Sequence, residues 1–295
     1  MSKSPPLMAG RVLFVAAAAV ALAAQPVLAQ RGGGRGPSGP AREAAQLDQD
    51  GKTAEARVIW QALIDSAADP AARANAQRSM AMSYAFAGDC ANTVKYEQMV
   101  IDYWKTREAA EPQNAFYQEG EMADEAARVC IDVGDLDAAE KWYRIGYAYG
   151  IKEPEPRTHP VSLWDYRLAH ALGRIAARRG DKAEAARQVA AARKALDGDS
   201  AMAAQQERFF PYLVGYVALY TGDLKTAQSA FQQMLAVRGN QNDPFMNYLM
   251  AETYEKMGQA AKADELYRKA YDLARAHNPP AAFVRRAARE KLKMQ

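Results

Sequence analysis

Arg167, His170, Arg174 and Arg178 stand three, four and four residues apart, and Phe209, Tyr212, Tyr216 and Tyr220 repeat that spacing. On a helix these intervals stay on one face, so each set forms a stripe. Arginines supply forked donors suited to a carboxylate, while tyrosines supply rigid contact area and a hydroxyl. Phe245 and Tyr248 continue the aromatic stripe, with Asn247 between them in sequence, and Glu121, Asp124, Arg128 and Asp132 form a mainly acidic stripe upstream. Two readings compete for these residues. They line a groove that receives a ligand, or they pack against one another, with the acidic stripe neutralising the basic one in exposed pairs worth well under ~1 kcal/mol each.

Other chemistry is sparse. His159, His170 and His277 stand apart, without an H-E-x-x-H motif or a cysteine–histidine cluster, so no zinc site is expected. Neither a G-x-S-x-G elbow nor a phosphate-binding glycine loop followed by Lys-Ser/Thr is present. Acidic residues are scattered as on solvated helix faces. No catalytic residue, metal or cofactor is therefore expected.

The elements that must carry the stripes follow from a repeating pivot at Gly51, Gly88, Gly134, Gly180, Gly222 and Gly258. Glycine ends a helix by adopting the left-handed conformation. Asp89, Asp135, Asp181 and Asp223 follow four of the pivots and suit the N-cap of a second helix. Five residues after each pivot stands a small side chain (Ala56, Thr93, Ala139, Ala185, Ala227, Ala263), where paired helices approach closely. Nine after it stand Trp60, Glu97, Tyr143, Val189, Phe231 and Tyr267. The rest of the composition favours helix.

This layout resembles the tetratricopeptide repeat (TPR), best in Asn247 to Ala270, where Ala251, Tyr254, Gly258, Ala263, Tyr267 and Ala270 fall at signature positions. The second unit departs, with Thr93 and Glu97 where alanine and an aromatic are usual. The resemblance implies an all-α, right-handed α-solenoid of about six hairpins over residues 41–276, with a capping helix in 277–295. Pro154, Pro156 and Pro160 interrupt helix between the third and fourth hairpins, and a second excess falls around Thr106 to Asn114.

In such arrays the first helix of each hairpin lines the concave face. That makes Arg167, His170, Arg174, Arg178, Phe209, Tyr212, Tyr216, Tyr220, Phe245, Asn247 and Tyr248 the candidate partner-binding set. Arg167, Arg174 and Asn247 resemble part of the carboxylate clamp used by peptide-binding members. Stacking also brings the start of the helix carrying Cys90 to the end of the helix carrying Cys130. A disulfide between them is expected, with two buried free thiols as the alternative.

The first 29 residues read as a secretory signal: Lys3 and Arg11, an apolar run from Val12 to Ala24, and a V-L-A cleavage site ending at Ala29. Residues 30–40 read as a Gly/Pro/Arg tether. Without Lys3 and Arg11 the basic count falls from 38 to 36 against 35 acids, so no nucleic-acid partner is expected. The reading is a periplasmic or secreted scaffold without a membrane span, binding a protein or peptide that carries an acidic or carboxylate group. A structural subunit of an envelope assembly and a small-ligand binder are the alternatives.

Overall fold

The structure, a computed structural model, describes residues 39–294; the expected signal peptide and most of the expected tether lie outside the described residues. Six helical hairpins follow one another: α1 (Pro40–Gln49) with α2 (Thr53–Asp65), α3 (Pro70–Phe86) with α4 (Cys90–Lys105), and α5 (Pro112–Val133) with α6 (Leu136–Gly150). Then come α7 (Val161–Arg178) with α8 (Lys182–Gly198), α10 (Phe210–Thr221) with α11 (Leu224–Ala236), and α12 (Pro244–Lys256) with α13 (Ala260–Leu273). A short α9 (Ser200–Gln206) precedes the fifth hairpin, and α14 (Pro279–Leu292) follows the sixth. No strand occurs among the described residues. Consecutive helices pack on one another along the chain, giving the expected all-α solenoid of hairpins.

The local reasons are those read from the pivots. All six glycines have φ between 70° and 91°, a region closed to most side chains. Asp89, Asp135, Asp181 and Asp223 each accept the backbone N–H three residues on, capping α4, α6, α8 and α11. The small residues at plus five are all buried. Helix α5 is the longest, and its length lets Gly120, together with Gly150, receive the Trp164 ring; a methyl group at Gly150 would sit 1.9 Å from that ring.

Cys90 and Cys130 form a disulfide between the start of α4 and the end of α5, tying the second hairpin to the third. The proline-rich segment after α6 is non-helical from Ile151 to Pro160. It is organised from inside by Glu153, a fully buried carboxylate that accepts the backbone N–H groups of Thr158 and His159 and bonds His159 Nδ1 at 3.0 Å.

The fifth hairpin differs from expectation at its start. Phe209 lies in a single 3-10 turn, Glu207–Phe209, and α10 begins one residue later. Asp199 anchors the segment leading to it. It caps α9 by accepting Met202 N–H, and it also accepts Ser162 Oγ–H from α7.

Beyond covering α13, α14 also packs on α12, α3 and α5 and reaches α1. Phe283, Val284 and Ala288 join Met82 and Phe86 of α3, Val129 of α5 and Tyr248 of α12 in one buried cluster. The ends of the array are bonded as well. His277 Nε2 lies 2.9 Å from Asp48 Oδ2, Gln49 donates to the Arg275 carbonyl, and Arg289 donates to the carbonyls of Gln49 and Asp50. Asp48 also accepts from Trp60 Nε1 and Ser83 Oγ, so one buried carboxylate gathers α1, α2, α3 and the segment before α14.

Candidate functional site on the first-helix face

The first helices α5, α7, α10 and α12 carry the stripes read from the sequence, and the stripes interleave rather than stand apart. Arg167 pairs with Glu121 across α5 and α7, and Arg128 lies 3.8 Å from the same carboxylate. Arg167 also stacks over Tyr117 and Trp164. Neutralisation of the basic stripe by the acidic one thus holds at its first position.

It stops there. Arg174 is buried, yet no carboxylate pairs with it among the described residues. Its donors go to phenol oxygens instead, Tyr143 Oη at 2.9 Å and Tyr212 Oη at 3.0 Å. Arg178 repeats the arrangement one turn on, donating to Tyr216 Oη at 3.2 Å and lying 4.8 Å above the Tyr220 ring. It too forms no ion pair among the described residues, but it is only half-buried. Both guanidinium groups are thus held directly by neutral hydroxyls and ring faces, with Asp124 near Arg174 and Asp132 near Arg178 acting on them only at longer range.

The remaining candidates divide by exposure. His170, Tyr216, Asn247 and Tyr248 are buried, whereas Phe209, Tyr212, Tyr220 and Phe245 are half-buried. Asn247 is turned away from any clamp role: its amide donates to the carbonyls of Gln241 and Asp243, holding the start of its own helix. His170 packs between Tyr166 and Tyr212, and burial beside Arg174 drives its pKa well below the usual imidazole value. Tyr220 and Tyr248 both reach Glu252 at 3.5 Å, and burial raises that carboxyl's pKa. Asp124, facing Arg167 from α5, is pushed up to about 7 because burial outweighs the nearby arginines.

Two participants were not singled out by the stripes. Tyr143 stands at the plus-nine position and reads as core, yet its hydroxyl is a principal partner of Arg174. Its signal is the hydroxyl itself, a tyrosine where Phe231 or Val189 fills the same register. Glu252 lies seven residues beyond Phe245 on the same helix face and collects two tyrosines.

The other side of this face is occupied by α14. Arg286 donates to Asp132 at 2.5 Å, and Lys291 to Glu255 at 2.7 Å. Asp132 therefore forms an ion pair with the chain's own terminal helix, whereas Arg174 and Arg178 are bonded to tyrosine hydroxyls.

Residues 246–277 match the tetratricopeptide repeat model, which coincides with α12, α13 and the segment after them. The chain is thus a TPR-containing protein. No curated protein matches it. The repeat supports a general role as a scaffold for protein–protein interaction. No group of His, Cys, Asp and Glu suited to hold a metal occurs among the described residues. Among the same residues no helix is long and apolar enough to cross a membrane.

Proposed function

We propose that this protein is a non-catalytic adaptor of the cell envelope, and that the α7–α10 part of its first-helix face receives an acidic or carboxylate-bearing segment of a partner protein. Arg178 supplies the charge, and Tyr212, Tyr220 and Phe245 supply the half-buried contact area. The single observation behind this reading is the pair Arg174 and Arg178, which form no salt bridge among the described residues and are held by tyrosine hydroxyls. Arg174 is the buried strut that orients Tyr212. Export is favoured by the disulfide, a bond that persists in oxidising compartments.

The test is crosslinked recovery of partners from an envelope extract, comparing wild type with Arg178→Glu combined with Tyr220→Ala. Loss of a partner with retained thermal stability is the expected result. An identical partner set from both proteins would remove the α7–α10 face from consideration and leave the scaffold role to another surface.

A further inference from the structure

A second surface stands out on helices that contribute nothing to the α7–α10 face. Val58 on α2 is 72 % exposed, far more than the other exposed large apolar residues among those described. Its register makes this unusual. Seven residues after the pivots, the other five hairpins carry Lys95, Lys141, Arg187, Ser229 and Glu265, all polar and all exposed. The first hairpin alone puts an apolar side chain where the others solvate themselves.

Val58 borders a groove of about 490 Å³ running between α2 and α4. Met80 and Tyr84 of α3 and Tyr96 of α4 line it from below, and the two tyrosine rings stack at 5.5 Å with 22° between their planes. The Arg57 guanidinium lies 4.6 Å over the Tyr84 ring. Its Nη1 is shielded from solvent and has no hydrogen-bond partner. At the end of α2, Asp65 lines the groove and accepts a bond from Gln61 on its own helix.

We propose that this groove is a docking site for an amphipathic helix of a partner protein, with an acidic side chain meeting Arg57 and a basic one meeting Asp65. The walls are two helices side by side with a third beneath them, a channel into which another helix packs by ridges and grooves. Arg57 and Asp65 are eight residues apart, roughly 12 Å along the axis at 1.5 Å per residue. Opposite charges about two turns apart on the incoming helix span that distance. Between them an apolar pair covers Val58 and the stacked tyrosines, removing them from water. A carboxylate also meets the Arg57 guanidinium from the solvent side, where Arg57 makes no salt bridge among the described residues. This charge pattern gives the groove a polarity, so the helix binds in one direction.

The probe is a displayed library of 16-residue helix-forming peptides randomised along one face and selected on the immobilised chain. Enriched peptides should carry an acid and a base seven or eight residues apart, flanking an apolar pair. Their binding should weaken at least tenfold against Val58→Lys, which installs the residue type of the neighbouring hairpins at an exposed site. Arg57→Glu should exchange the preferred acid for a base at the matching position. Peptides that bind Val58→Lys as tightly as wild type, an unchanged charge preference with Arg57→Glu, or no enrichment would each overturn the proposal. Concentration-dependent self-association abolished by Val58→Lys would overturn it in favour of a second copy of the chain. None of these results depends on the fate of Arg178 and Tyr220.

Discussion

The first-helix face is built in two ways. Around the contacts of α3, α5 and α12 with α14, charged groups meet carboxylates within the chain: Arg286 with Asp132, Lys291 with Glu255, Arg78 with Glu125. Large apolar groups from four helices close over one another there. Along α7 and α10 the contacts of α14 do not extend among the described residues, and arginines rest on tyrosines. One part behaves as core made from a surface. The other carries arginines held by hydroxyls rather than by salt bridges. The difference teaches that one face of a repeat array need not be built uniformly, because the terminal helix packs on only part of it.

The contrast can be broken most directly at α14. Phe283→Ala should cost about 3–5 kcal/mol in denaturant unfolding, as expected for truncating a buried aromatic. A loss below ~1 kcal/mol would mean that α14 lies loosely on the face and that the covered part is not core.

Removing the disulfide tests the wall beneath α14. Cys90 and Cys130 close a separation of 40 residues, for which the chain-entropy model gives about 3–4 kcal/mol. Cys90→Ser with Cys130→Ser should lose that much, with hydrogen-exchange protection falling first in α4 and α5.

A pH series sharpens the comparison further. Glu97 is fully buried at a register where four of the other five hairpins place an aromatic, and burial beside Glu125 holds its carboxyl well above the usual 4.5. Asp124 and Glu119 are each pushed up to about 7, chiefly by burial. A carboxyl raised in the fold binds its proton more tightly there than in the unfolded chain. Its contribution is therefore complete below the unfolded value and lost as pH rises through the folded one. Stability should fall between pH 5 and pH 8, by at most ~1.4 kcal/mol per pH unit for each group, and Glu97→Gln should flatten the curve. A wild-type curve that rises over this range would contradict the assignment.

The smallest effect belongs to the open part. Arg178→Ala should change stability by no more than ~0.5 kcal/mol, because it removes a half-buried side chain with neutral partners. A cost of several kcal/mol would place Arg178 in the core alongside Arg174.

Much of the architecture was legible because its causes are local. Gly88 with Asp89, or Gly222 with Asp223, announces a helix end and the next helix start within a few residues. The small residue at plus five then states which face is packed. Cys90 and Cys130 could be paired because stacking of adjacent hairpins fixes where their helices begin and end. The site was legible only in part. The arginine and tyrosine stripes emerged from spacing, but spacing did not reveal that Arg174 would be enclosed by Tyr143 and Tyr212, nor that Asn247 would turn inward to its own backbone. Burial depends on which helix lies opposite. The break at Phe209 has no such local signal, and the segment before it is held by Asp199, which binds both its own helix and Ser162, 37 residues away.

By itself, the sequence determined the helices, their hairpin pairing and the register of their inner faces, since left-handed glycines, aspartate caps and helical spacing act over a turn or two. Only the tertiary structure decided where α14 lies and which stretch of the inner face stays open. Those outcomes rest on contacts such as Arg286 with Asp132 and His277 with Asp48, which are 154 and 229 residues apart. Such contacts form through the packing of the whole array, and no local spacing encodes them.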